Sequence, residues 1–289
     1  MALDQYAQHF FNVLREYKDD PSGQSLYTDS ALQSLHEVAL PYFEDLPSDF
    51  STLLDVGCGA GFDAAYFAKR GKKVTAITAN PTPAQTQYAL ENSFTIQHTD
   101  MNNLSFENAS FDAVLCKHVL EHSISPLASL FELRRVLRPE GYLFLVLPPH
   151  HTALIESGHF TQGWSIGQMI YCLCVTGYEV KNGAFRARIG NIEAVVRPAA
   201  SIPNGRGLYE LKARMPEPIQ NLMLDDSHGA FPSSAFKQIA WPFESNHRET
   251  LAEEPRQADE YQDISLRKLL RMLFRRKGPV GRLFASLIR

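Results

Sequence analysis

Two groups of residues in this 289-residue chain could do chemistry. The first is Asp55-Val-Gly57-Cys-Gly59-Ala-Gly61, an acid two positions ahead of three alternating glycines. Glycines so spaced permit a tight turn and let backbone N–H groups approach a ligand, most effectively where the turn feeds a helix N-terminus. The second is a series of histidines: His118 and His122 around Glu121, then His150 and His151, then Glu156 and His159. Imidazole changes charge near neutral pH, so His118, His122 and His150 are candidate general bases for a substrate hydroxyl. The HxxxH spacing lacks the HExxH order of a zinc hydrolase, and the sequence assigns no metal to these residues. Cys58, Cys116, Cys172 and Cys174 are too few and too irregular for a disulfide framework or a CxxC zinc site, which fits a reducing compartment.

The elements that must position these residues are legible from patterning. STLLDV (51–56) is a short apolar run ending in the glycine turn, a buried strand, and AAYFAKRG after the turn reads as a helix closed by Gly71. KKVTAIT, FTIQHTD and FDAVLCKHV read as three more strands, with PTPAQTQYALEN a helix opened by prolines. PLASLFELRRVLRPEG reads as a helix with a basic last turn and a Pro/Gly stop, and GYLFLVLP as a fifth strand. WSIGQMIYCLCVTG is then a helix ending at Gly177, followed by the strands YEVKNGAF and NIEAVVRP. Near-continuous apolar strands alternating with helices imply a mostly parallel sheet covered on both faces.

LLDVGCGAG, HTDMNNLSFENASFDAVLCKHVLEH and RRVLRPEGYLFLVLP together resemble the class I S-adenosylmethionine-dependent methyltransferases. The resemblance covers roughly residues 51–197. It implies an α/β, Rossmann-like three-layer sandwich whose seven-stranded, mostly parallel sheet ends in a reversed hairpin. It implies S-adenosyl-L-methionine as cofactor. Asp55, with Gly57, Gly59 and Gly61, would meet its amino-acid end; Asp100 would accept from the adenine amino group; Met101 would pack on the adenine ring. The His118–His122 segment would line the same pocket. One position departs from the family pattern. An acid usually ends the second strand, where it accepts from both ribose hydroxyls, but here Thr78 stands there with Asn80 just beyond. A single hydroxyl cannot make that paired, charge-assisted contact. The ribose would then be held by Thr78, Asn80 or backbone groups, or the site is degenerate and the chain a non-catalytic scaffold.

The charge balance is uneven. With 28 bases and 32 acids the net charge is −4, yet residues 265–289 carry eight bases and no acid, leaving 20 bases against 32 acids in the rest. An acidic body argues against non-specific nucleic-acid binding. In the tail, Leu266, Leu269, Leu270, Leu273 and Phe274 make one apolar helical face among arginines, and the spacing returns after Gly278-Pro279. Such a segment suits peripheral contact with an anionic membrane, or packing on its own body or a twin subunit in a homodimer. No signal peptide is read at the N-terminus. The expected organisation is an N-terminal helical cap (1–50), the cofactor domain (51–197), an irregular acceptor-side extension or linker (198–264) and the basic amphipathic tail (265–289). The expected function is methyl transfer, as O-methylation of a small molecule, lipid or cell-surface glycan precursor, in the cytoplasm or at the inner face of the membrane.

Overall fold

The structure is a computed structural model that describes residues 29–149, 159–161, 163–188, 191–203, 208–217 and 220. The expectations for 1–28, for most of the extension beyond 203, and for the basic tail lie outside the described residues. So do those for His150, His151 and Glu156.

Helix α1 (Asp29–Glu44) precedes the alternating part: β1 (Thr52–Val56), α2 (Phe62–Ala68), β2 (Lys73–Thr78), α3 (Pro83–Glu91), β3 (Thr95–His98) and β4 (Phe111–Lys117). A 3-10 turn (Leu120–His122), α4 (Pro126–Val136), β5 (Leu137–Leu147), α5 (Ile166–Val175), β6 (Tyr178–Arg188), β7 (Asn191–Pro198) and α6 (Leu208–Arg214) follow. The seven strands form one sheet in the order β3-β2-β1-β4-β5-β7-β6. β7 alone runs against its neighbours β5 and β6, as the expected reversed hairpin requires.

The continuous apolar strands follow from burial on both faces. Leu54, Val56, Val114, Cys116, Leu143 and Leu145 face α4 and α5, whose Leu130, Leu133, Met169 and Leu173 are buried there. Their alternates Leu53, Ala76, Leu115, Phe144 and Val146 face α1 and α2, where Tyr42, Phe43, Ala65 and Phe67 cover them. α1 is bound in tightly: Tyr42 Oη donates to the Ala194 carbonyl at 2.9 Å, and the buried Arg186 of β6 reaches Asp45 just after α1 at 2.7 Å.

One boundary differs from the sequence reading. The helix read in PLASLFELRRVLRPEG with a Pro/Gly stop ends before that stop, at Val136, and Leu137–Leu147 is all strand. Pro139 disfavours helical backbone at Arg138 and cannot donate to a helix ladder, so the chain turns extended at Leu137 (ψ 139°). The four residues to Gly141 are absorbed as a register shift between the Phe111–Leu137 and Ala113–Tyr142 pairs.

Asp112 fastens the start of β1 to β4. Its Oδ2 accepts from the backbone N–H of Ser51 (3.1 Å) and Thr52 (2.8 Å) and from Thr52 Oγ1 (2.9 Å), and Arg138 pairs with Oδ1. Partial burial opposes ionisation, but these donors outweigh it and hold the carboxyl at about 2. A folded value below the ordinary carboxylate value of about 3.9 contributes stability above that pH, lost as pH falls toward 2. Asp112→Ala is therefore expected to lower unfolding free energy by about 1–3 kcal/mol at pH 7. Urea denaturation of both proteins should show the gap shrinking between about pH 4 and 2. A gap independent of pH would show that the carboxylate charge contributes nothing.

Candidate functional site

Strand order reverses between β1 and β4, since β1 leads outward to β2 and β3 while β4 leads to β5. A crevice opens at such a switch point, outside the carboxyl ends of the strands. The glycine turn leaves β1 there and His118 leaves β4 there. Gly57, Gly59 and Gly61 all have left-handed backbones, with φ of 67°, 52° and 87°. Two of these glycines also serve the protein's own packing. A Cβ on Gly57 would lie 2.5 Å from Val119 Cγ2, and one on Gly61 would lie 2.8 Å from Phe94 Cζ. The Gly59 carbonyl accepts from Gln85 Nε2 of α3 at 2.6 Å, a tie with no sequence signal. Gln85 also closes the capping box with Thr82 that starts α3.

Asp55, at the end of β1, is 2% exposed, and its Oδ2 has no hydrogen-bond partner among the described residues. Burial pushes its carboxyl well above the usual range and the nearby Asp63 adds to this, while Lys117 and the Ala64 N–H oppose it. Asp63, in the first turn of α2, is the opposite case. It too is buried, but it accepts from Lys117 Nζ at 2.9 Å and lies 2.6 Å from His36 Nδ1 of α1, and these partners hold it below the usual range. His36, Asp63 and Lys117 link α1, α2 and the end of β4. Three separate segments supply this bridge, so no local spacing announces it. Burial pushes the Cys58 and Cys116 thiols up, which leaves neither as a thiolate nucleophile at neutral pH.

Thr78 ends β2 half-buried, with Asn80 exposed just beyond. Asp100 is half-buried, and its Oδ1 accepts from the backbone N–H (2.8 Å) and side-chain amide (3.0 Å) of Asn102. Buried Asn102 in turn accepts from Ser123 Oγ and Ser129 Oγ. Asp100 thus also organises the loop after β3. Met101 is half-buried against the α4–α5 side of the core.

His118 has φ 52°, unusual for a residue with a side chain, and its N–H donates to the Val146 carbonyl at 2.9 Å. Its Nε2 lies 2.8 Å from Asn191 Oδ1, so Nε2 carries the proton and donates. Nδ1 lies 3.6 Å from Glu121 Oε1, outside hydrogen-bond range. Asn191 is 73 residues away in sequence, beyond the reach of any spacing argument. His122 is half-buried and packs edge-on to His159, with ring centroids 4.6 Å apart. The aromatics after β5 part company: Trp164 is buried in the core, while Phe160 and Tyr171 are exposed.

Residues 54–145 match the family model described as a methyltransferase domain. Over 102 residues the chain is 37% identical to a ubiquinone biosynthesis O-methyltransferase of Haemophilus ducreyi, covering 32% of this chain and 43% of that one. Over 122 residues it is 36% identical to the enzyme of the same name from Xanthomonas oryzae pv. oryzae, covering 39% and 50%. The chain thus spans about half the length of the curated relatives it matches. Among solved structures, the PH0226 protein from Pyrococcus horikoshii OT3 superposes with a TM-score of 0.51 at 16% identity, over 64% of this chain and 98% of that one, a likeness of fold. The glycine turn behind a buried acid and the 3-2-1-4-5-7-6 sheet thus lie in a chain whose residues 54–145 match a methyltransferase-domain model.

Proposed function

We propose that this protein transfers a methyl group from S-adenosyl-L-methionine to a hydroxyl of a small-molecule acceptor, giving a methyl ether and S-adenosylhomocysteine. The observation that carries this reading is the orphaned oxygen of buried Asp55 beside the left-handed glycine turn. A buried carboxyl with an unmade bond is costly. An ammonium group arriving beside it satisfies the orphan and returns the acid to its ionised form, which fits the amino-acid end of this cofactor. Bound there, the cofactor supplies an electrophilic methyl on a sulfonium. The protein's own residues hold the two reactants in line and take the acceptor's proton.

His118 is the base this geometry favours. Asn191 fixes its tautomer, leaving Nδ1 to take a proton, and Glu121 stands 3.6 Å away to stabilise the imidazolium. His122 is the alternative at the same edge. The relatives' names point to oxygen as the methylated atom. Lipid and glycan-precursor hydroxyls remain within the proposed acceptor class. The test is transfer of a labelled methyl from the cofactor to a panel of phenolic, sugar and prenol hydroxyls. Labelled ether with equimolar S-adenosylhomocysteine supports the reading; cofactor binding without transfer to any of them favours the scaffold alternative.

Asp100→Ala is expected to weaken the cofactor by about 1–3 kcal/mol, the cost of a lost charged acceptor. Thr78→Asp should tighten it if the ribose sits at the end of β2. Calorimetric titration of both variants checks this, and unchanged affinity in both would place adenosine elsewhere.

Contact of residues 265–289 with an anionic membrane is also proposed, on eight bases with no acid and repeated helical apolar spacing. No helix among the described residues is long and apolar enough to cross a membrane. Each base near such a surface contributes about 1 kcal/mol. Salt-sensitive co-sedimentation with anionic vesicles should vanish for a chain ending at Asp263. Equal sedimentation would leave packing on the body or on a second copy as the tail's role.

A further inference from the structure

We propose that Glu121, His122 and His159 form a binding site for a divalent transition-metal ion at the carboxyl edge of the sheet. Each offers one ligand atom, and the three atoms lie within 4.8 Å of one another. Glu121 is 0% exposed, and neither carboxylate oxygen has a hydrogen-bond partner among the described residues. A carboxylate so placed is costly unless a cation completes it. His118 Nδ1 is 3.6 Å from Oε1, too far to bond. It faces only one of two carboxylate oxygens, so the other can serve a metal.

The fold also builds the third ligand into place. The backbone N–H groups of Phe160 and Thr161 donate to the Glu121 carbonyl at 2.9 and 3.1 Å. These bonds clasp the segment carrying His159 to the turn carrying Glu121 and His122. His159 is buried to 8% exposure while His122 is half-open, which leaves one side of the cluster for an incoming ion. Two imidazoles and one carboxylate suit zinc, manganese, cobalt or iron(II) rather than calcium or magnesium, whose sites are all oxygen. Ligand bonds of about 2.0–2.1 Å around a tetrahedral ion set neighbouring ligand atoms about 3.4 Å apart. The three ligand atoms, within 4.8 Å of one another here, would close to that spacing around the ion. Three protein ligands leave an open position, which would take water or the oxygen of the acceptor hydroxyl. An oxygen bound there loses its proton more readily. The ion site itself does not rest on the methyl-transfer reading; only that use of the open position does.

The experiment is calorimetric titration of tag-free, chelator-stripped full-length protein with zinc chloride alone, without cofactor, followed by the visible spectrum of the cobalt(II) form. The expected result is one ion per chain, with intense four- or five-coordinate cobalt bands. Glu121→Gln and His159→Asn should each weaken zinc about tenfold or more. His98→Asn, at an exposed histidine ending β3, should bind as the parent does. Without metal, Glu121→Gln should melt no lower than the parent, because neither carboxylate oxygen makes a hydrogen bond for the substitution to break. That separates a ligand from a structural acid. No saturable zinc binding, or equal binding by the Glu121 and His159 variants, overturns the site. Since cofactor is absent, neither result depends on whether methyl transfer occurs. Should Glu121→Gln fail to fold, the His159→Asn titration decides alone.

Discussion

Gly59→Val is expected to abolish S-adenosyl-L-methionine binding, a loss of at least about 100-fold, with the fold intact. The backbone there is left-handed (φ 52°), which a β-branched residue scarcely tolerates. The turn must shift to admit one, dragging the carbonyl that Gln85 holds at 2.6 Å. Gly57 and Gly61 are poorer probes, since side chains there collide with Val119 and Phe94 and would disturb the core as well. Calorimetry for the cofactor and thermal unfolding for the fold measure the two effects separately. Ordinary affinity in Gly59→Val would mean that the cofactor does not lie on this turn.

His118→Asn should lower kcat by about 10²- to 10⁴-fold, the usual worth of a positioned base. Asparagine is chosen because it accepts the left-handed backbone that His118 occupies at φ 52°, so the loss reports the imidazole and not strain. Because His118 also borders the cofactor crevice, affinity for the cofactor will change, but by less than about tenfold, well short of the rate effect. Single-turnover transfer to the acceptor found in the labelled-methyl screen gives the rate, and calorimetry the affinity. A rate within about threefold of the parent would remove His118 from proton transfer and leave His122 in its place.

What the sequence disclosed is what local patterning carries. Leu53–Val56, Ala113–Cys116 and Leu143–Leu147 are apolar on both alternating faces because helices cover both sides of the sheet, and that reads directly as buried parallel strands. The glycine turn was legible because three residues at fixed spacing share one backbone requirement. The end of α4 was legible only to within a few residues, because Arg138 extends the basic last turn past Val136, while the proline read as its stop sits inside a bulged strand. Among the proposed site residues, the glycine spacing pointed to Asp55 and the histidine pattern to His118, while Thr78 and Asp100 came from the family resemblance. Spacing could not reach the partners that define their states. Lys117 and His36 meet Asp63 from β4 and α1, and Asn191 meets His118 from β7. Those pairings exist only once the sheet has brought distant segments to one edge. The convergence of His159 on Glu121 and His122 is of the same kind: the sequence shows the residues but not that they meet.

The most direct measurement is a calorimetric titration of the full-length protein with S-adenosyl-L-methionine and, separately, with S-adenosylhomocysteine. Saturable binding of both at one site per chain, lost in Gly59→Val, is the expected result. No heat from either ligand at millimolar concentration would contradict it, leaving a methyltransferase fold that has given up its cofactor at Thr78.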